Sequence, residues 1–259
     1  MDIINTTRNK KYKFIKSLQQ KKTRLSEGLF VVEGTKSVND VIGSEYEIHM
    51  IAMSESYYNE NNNLYFDCGD VITVADALFD GLCDTKTPQG ILAVVKMRDN
   101  VIEYDRNELY IYCDNVSDPG NLGTIIRTAD AAGFKGVMLS CGCTDPYNPK
   151  CVRSSMGSFF NIDIYENISY DFLSDLSLNG TNLYCGALES DSIIYTETDF
   201  RKPCIIVVGN EANGVSADLL KRCQHVIIPI YGKAESLNVG VASAILMYEA
   251  VRQRGNENE

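Results

Sequence analysis

The sequence predicts an α/β protein in two parts, a small N-terminal α/β module and a larger C-terminal domain on a mostly parallel sheet. Three observations carry this. Short apolar runs of strand length alternate with helical periods along most of the chain. Two of these runs, 205–208 and 226–230, enter loops rich in Gly, Asn, Glu and Ser at 209–214 and 231–236. A charged, patternless stretch at 97–107 separates the halves.

In order, residues 8–21 predict a helix, with Tyr12, Phe14, Ile15 and Leu18 as a partial apolar stripe among lysines. LFVVEG at 29–34 predicts a strand and 35–42 the next helix. A strand at 47–52 and a polar helix or loop through Asn63 follow. Short strands are predicted at 64–66, 71–74 and 91–95, with a helix at 75–82. Beyond the linker come a strand at 109–113, a helix at 122–132 closed by Gly133, and a strand at 136–139. A loop at 145–149 leads to a helical turn at 151–157 and a strand at 159–164. A helix at 169–178 and a strand at 182–187 precede the two strands already described. The last helix is expected over 237–254, with Ser236 as its N-cap. Residues 255–259 read as a tail.

Composition narrows the function. The 259 residues hold no apolar run long enough to cross a membrane, and the start lacks the apolar core of a secretory signal. Nine scattered cysteines without a C-x-x-C, beside only two histidines, argue against zinc and for reduced thiols in a cytoplasm. The net charge of −11 opposes bulk binding of polyanions, but residues 1–24 carry eight basic groups against one acid, leaving the remainder at −18. A basic head on an acidic body reads equally as a polyanion grip or as a solvated helix face.

Three segments hold the candidate chemistry. In DNVSDPGNLGTIIRTADAAGF, 114–134, a turn delivers a strand to a helix, with Asn121 a possible cap and Arg127 on or beside a packed face. Taken alone, that arginine reads more readily as a tie to Asp130 or to a carbonyl. In GNEANGVS, 209–216, two glycines bracket Asn210, Glu211 and Asn213 and permit close approach of a ligand, although a plain βα loop fits too. IPIYGKAESLNVG, 228–240, sets Ser236 and Asn238 at a helix start, where free N–H groups suit oxygen ligands. Loops of this kind at strand ends predict a nucleotide-like cofactor lying across 209–214 and 231–236. No G-x-G-x-x-G, Walker A, H-E-x-x-H or G-x-S-x-G is present, so dinucleotide, P-loop, zincin and serine-hydrolase readings fall away.

Together the three segments resemble the motifs of the SpoU (TrmH-like) RNA ribose 2′-O-methyltransferases of the SPOUT superfamily, in order and spacing over 107–254. PKCVRSSMGSFF, 149–160, is similar to that family's middle segment, and LFVVEGTKSVNDVI, 29–42, to the ribosomal-protein-like substrate-binding domain of many members. The resemblance implies an RNA-binding domain at 1–97, a linker at 98–106 and a trefoil-knotted methyltransferase domain at 107–259. It implies a homodimer in the cytoplasm, without membrane or metal, with S-adenosylmethionine as cofactor and RNA, foremost ribosomal RNA, as substrate. Cofactor contacts are expected at Leu188, Gly209, Asn210, Ile228, Pro229 and Leu237. Arg127 is expected to act on the ribose hydroxyl, with Asn121, Glu211, Ser236 and Asn238 around it. In that picture Glu211 holds the guanidinium, Asn121 and Asn238 place the ribose, and Lys150 and Arg153 join the basic head in gripping RNA. The chain departs from many relatives at Gly240, where they carry serine. Two other readings stay open: a catalytically silent RNA-binding or ribosome-assembly protein of the same fold, and the same enzyme acting on transfer RNA.

Overall fold

The structure, a computed structural model, describes residues 3–61, 69–99 and 101–255. The strand expected at 64–66 and most of the expected tail lie outside these residues. The chain divides into two compact units, Met1–Asp99 with Tyr147–Phe160, and Asn100–Pro146 with Asn161–Glu259.

The first unit runs β1 (Ile3–Ile4), α1 (Lys10–Ser17), α2 (Lys21–Glu27), β2 (Leu29–Glu33), α3 (Thr35–Ile42), β3 (Ile48–Ser54), α4 (Glu55–Glu60), β4 (Val71–Val74), α5 (Asp76–Phe79) and β5 (Ile91–Lys96). Its sheet has the order β1-β4-β3-β5-β2, with β5 antiparallel to both neighbours and the other pairs parallel. Asn9 caps α1 by accepting the N–H groups of Lys11 and Tyr12. The helix expected over 8–21 is in fact two. Arg24 explains the break: its buried guanidinium donates to the carbonyls of Leu18 and Gln19 (2.9 and 2.8 Å), which the chain exposes where α1 ends. Tyr12, Ile15 and Leu18 pack with Met50, Val74, Phe79, Leu82 and Val94 on one face of the sheet.

Residues 147–160 belong to this unit, although their sequence position and the resemblance suggest the later domain. Aromatic packing is the reason. Tyr147 and Phe159 lie 4.9 and 5.7 Å from the Phe30 ring, and Phe160 stands edge-on to Tyr46 at 5.4 Å. The segment's Arg153 pairs with Asp84 at 2.8 Å.

The second unit contributes β6 (Tyr110–Cys113), α6 (Pro119–Ala131) and β7 (Gly136–Leu139); α7 (Pro149–Ser154) is the helix of the 147–160 segment. Then come β8 (Asp163–Tyr165), α8 (Tyr170–Leu178), β9 (Asn182–Gly186), β10 (Ile193–Ile194), β11 (Cys204–Val208), α9 (Ala217–Leu220), β12 (Gln224–Ile227) and α10 (Val239–Gly255). The strand expected at 159–164 is a short 3-10 turn at Ser158–Phe160 followed by β8, because the Phe159 and Phe160 rings are committed to the aromatic group. The seven-stranded sheet is parallel throughout, in the order β10-β12-β9-β11-β6-β7-β8. On β11, Ile205 and Val207 enter a core with Leu173 of α8 and Leu219 of α9. Ile206 and Val208 alternate to the opposite face, and α10 packs against β11 and α6. Strand order reverses about β6, so the chain leaves β6 and β11 toward helices on opposite faces at a switch point, the position where parallel sheets open a ligand crevice.

Candidate functional site

The loop after β11 is built on its own backbone. Asn210 and Gly214 exchange both N–H···O bonds at 2.9 Å, and Asn210 Oδ1 accepts the N–H groups of Ala212 and Asn213. Gly214 has φ +68°, and a Cβ at Gly209 would lie 2.1 Å from the Gly214 carbonyl carbon. Gly209 is therefore required by the closure of its own loop.

That loop is stitched to the one leaving β6. Asn210 Nδ2 donates to the Asn115 carbonyl at 2.8 Å. Glu211 reaches further: one carboxylate oxygen accepts from Asp118 N–H (3.0 Å) and Asn121 Nδ2 (2.9 Å), the other from Ser117 N–H (3.1 Å) and Oγ (2.9 Å). Partial burial pushes this carboxyl up, but the bonds from Asn121 and from the backbone N–H groups of Glu211, Asp118 and Ser117 outweigh it and bring the group down to about 2. Beneath them sits Asp114, wholly buried. It accepts Tyr170 O–H at 2.6 Å, Asn115 Nδ2 at 2.8 Å and Ser216 N–H at 2.7 Å, tying β6 to the start of α9. Burial, and then the bond to Asp114, hold the Tyr170 phenol above its ordinary range, so it stays protonated as the donor.

The third loop joins through Asn121. Its Oδ1 accepts Asn238 Nδ2 at 2.9 Å while its Nδ2 serves Glu211. Asn238 Oδ1 in turn accepts the N–H groups of Gly240 and Val241. Asn238, not Ser236, caps α10. At α6 the cap is Asp118, not Asn121: its carboxylate takes the N–H groups of Gly120 and Asn121, with Pro119 opening the helix.

These three loops and the end of β9 enclose a cavity of about 640 Å³, a volume within the usual range for small-molecule sites. Val208, Val215, Val226 and Leu246 give it apolar walls, and Asn121, Glu189, Glu211, Ser236 and Asn238 give it polar ones. Of the residues expected in the site, Asn121, Leu188, Gly209, Asn210, Glu211, Ile228, Ser236, Leu237 and Asn238 line this cavity. Pro229 does not, although Ile228 and Ile230 on either side of it do. Arg127 does not line it either. It lies exposed on α6, and among the described residues it has no hydrogen-bond or ion-pair partner, neither Asp130 nor Glu211. Sequence reasoning missed Asp114, Ser117 and Tyr170, and of these only Asp114 carried a signal, as the first residue of its motif.

One wall carries a titrating tie. His225 on β12 sets Nδ1 2.6 Å from Asp191 Oδ1 and Nε2 3.0 Å from the Leu220 carbonyl. The bond to Asp191 raises the imidazole above its ordinary value, and it fastens the 187–192 loop that presents Leu188. Among the described residues no group of three or more His, Cys, Asp or Glu is placed to hold a metal.

Residues 108–248 match the SpoU rRNA Methylase family, and residues 9–93 match an MRM3-like substrate binding domain. The chain belongs to the SpoU rRNA methylase family. As a member it is an S-adenosylmethionine-dependent RNA methyltransferase. It is 36% identical over 250 residues to the Bacillus subtilis 23S rRNA (guanosine(2553)-2′-O)-methyltransferase RlmP, covering 96% of this chain and 98% of the relative. Its structure is similar to that of an AdoMet-bound rRNA methyltransferase from Sinorhizobium meliloti, with TM-score 0.85, 32% identity and 97% of each chain covered. It is also similar to the SpoU methyltransferase AviRb from Streptomyces viridochromogenes in complex with AdoMet, with TM-score 0.84, 28% identity, and 95% of this chain and 98% of that one covered.

Proposed function

We propose that this methyltransferase modifies a ribose 2′-hydroxyl of large-subunit ribosomal RNA, holding its cofactor in the cavity at the strand ends. The observation that carries this reading is the joining of all three motif loops around that cavity through Glu211, Asn121 and Asn238. The whole-length likeness to the B. subtilis 23S rRNA enzyme supports the choice of RNA, as does the match of residues 9–93 to a substrate-binding domain.

The residues present fit S-adenosylmethionine. Leu188 and Leu237 leave 61% and 37% of their surface open beside apolar walls, as suits a planar base, and the backbone of Gly209, Asn210, Ile228 and Leu237 would hold the rest. When bound, the cofactor supplies an electrophilic methyl group on a sulfonium centre. Asn121, Glu211 and Asn238 are positioning residues here: the Asn121 amide is engaged at both ends and keeps the loops in register. Ser236 faces the cavity from the third loop. Arg127 acts on the substrate side. Guanidinium groups keep their proton near neutrality, so its part is to orient the ribose and its phosphate and to stabilise charge as the hydroxyl attacks.

Three finer features complete the reading. The segment from β12 to α10 returns to pack on α6 and β11 after β11 has been laid between β6 and β9, an arrangement that supports a trefoil knot. Val241 and Tyr248, one heptad apart on α10 and 48% and 51% exposed, support a homodimer through this helix, bringing a second copy toward the helix that bears Arg127. The eight free cysteines among the described residues support a reducing cytoplasm. The test is transfer of labelled methyl from S-adenosylmethionine to RNA from cells lacking the protein. Label at one ribose of 23S rRNA is expected; label in transfer RNA overturns the substrate, and cofactor binding without label to any RNA supports the silent reading.

A further inference from the structure

We propose that the exposed face of α1, continued by the start of α2 and flanked by His49, is the surface that grips the RNA, binding phosphates with lysines and one unpaired base with the aromatic pair. This rests on the reading that RNA is the substrate, and it assigns the grip to particular residues within the first unit. Residues 3–26 contain no acidic group in a chain whose net charge is −11. The structure removes two of the eight basic residues of that stretch from consideration. Arg24 is buried and serves the α1–α2 turn, and Lys11 pairs with Asp70 at 2.7 Å. Arg8, Lys10, Lys13, Lys16, Lys21 and Lys22 are all exposed, and none of the ion pairs found among the described residues engages them.

Their placement runs against helix energetics. Lys10 and Lys11 occupy the first turn of α1, Lys21 and Lys22 the first turn of α2, and neither helix has an acid there. Cations at a helix start oppose the dipole, so local stability does not account for them. An external anion would. At 3.6 residues per turn, Lys13, Lys10 and Phe14 fall within an arc of about 100° on the side away from Tyr12 and Ile15. Phe14 meets the exposed His49 of β3 edge-on, with centroids 6.2 Å apart, and its packing against the core fixes it there. A braced imidazole face beside a row of unpaired lysines is the combination that holds single-stranded RNA: charge tracks the backbone and a ring receives a base.

The experiment measures binding of the full chain to protein-free 23S rRNA across a potassium chloride series, with S-adenosylmethionine binding as the control for folding. Substituting Lys10→Gln, Lys13→Gln, Lys21→Gln and Lys22→Gln together is expected to reduce the slope of log affinity against log salt by about 3, at roughly 0.7 per single-strand phosphate contact. His49→Ala is expected to weaken binding on the order of tenfold at every salt concentration, with the slope retained. Both variants should bind the cofactor as the parent chain does. If the parent binds and methylates RNA while the lysine variant keeps its slope, the grip lies elsewhere and the methyltransferase reading stands. If the lysine variant loses slope but His49→Ala binds normally, the stacking half is overturned. Failure of the parent to methylate any RNA is a failure of the underlying reading, which the same series distinguishes.

Discussion

Glu211→Gln tests the central physical claim, that one carboxylate holds two loops together. The substitution keeps the shape and removes the charge. Four donor bonds from Ser117, Asp118 and Asn121 would then converge on an amide that is itself half donor. The fall of the carboxyl from 4.5 to about 2 sets a ceiling of about 3 kcal/mol on the stability it contributes, at about 1.36 kcal/mol per pH unit. The side chain is exposed, so solvent screening reduces this to about 1–2 kcal/mol. The sign follows from the direction. A depressed carboxyl contributes fully above its unfolded value of 4.5, and the contribution is lost as pH falls from there toward 2. Urea unfolding of both proteins at pH 7 should show the variant less stable by that amount, with the gap narrowing below pH 4.5. Calorimetry should show weaker S-adenosylmethionine binding, because the 209–216 loop lines the cavity. Equal stability at pH 7, or a gap that does not change down to pH 3, would refute the claim.

Arg127→Ala should abolish methyl transfer while changing stability by no more than about 0.5 kcal/mol and leaving cofactor affinity intact, since the side chain is exposed and outside the cavity lining; retained activity in the transfer assay would remove its assigned role. Gly209→Ala should eliminate cofactor binding by calorimetry, because the new Cβ meets the Gly214–Val215 backbone at 2.1–2.3 Å. The His225–Asp191 tie is fully present below pH 6.5 and is lost as pH rises through the raised folded value of His225. Cofactor affinity should therefore decline with rising pH in that window, and Asp191→Asn should flatten the profile.

Much of this was legible in the sequence where one residue type admits one use. The buried run of β11 announces itself by β-branched content and those of β6 and β7 by short apolar stretches, and the segments carrying Asn121, Glu211 and Asn238 announce a strand-end site. What was hidden depends on partners far away in the chain. Arg24 looks like one more surface cation, yet it fills a helix end. Tyr147, Phe159 and Phe160 look like part of the later domain until their rings meet Phe30 and Tyr46. The caps at Asp118 and Asn238 were misplaced because an Asn or Ser nearby satisfies the same pattern. Glu211 as a partner for Arg127 was a reasonable charge pairing, but backbone N–H groups reached the carboxylate first.

The two bonds made by the Asn121 amide span 90 and 117 residues of sequence. Every strand pair of the second sheet is parallel, so no hairpin between neighbouring sheet strands nucleates this unit. Closing such long loops comes before the contacts that reward it, which makes folding of this unit slow and late. During synthesis β6, β7 and β8 emerge well before Asn238 does, and until that residue docks the Asn121 amide lacks one of its two bonds. Catalytic competence thus waits on the last helix, whose Val239, Ala242 and Leu246 line the cavity. On the proposed grip, a nascent or truncated chain would present its basic N-terminal helices to RNA before the cavity that marks it is built.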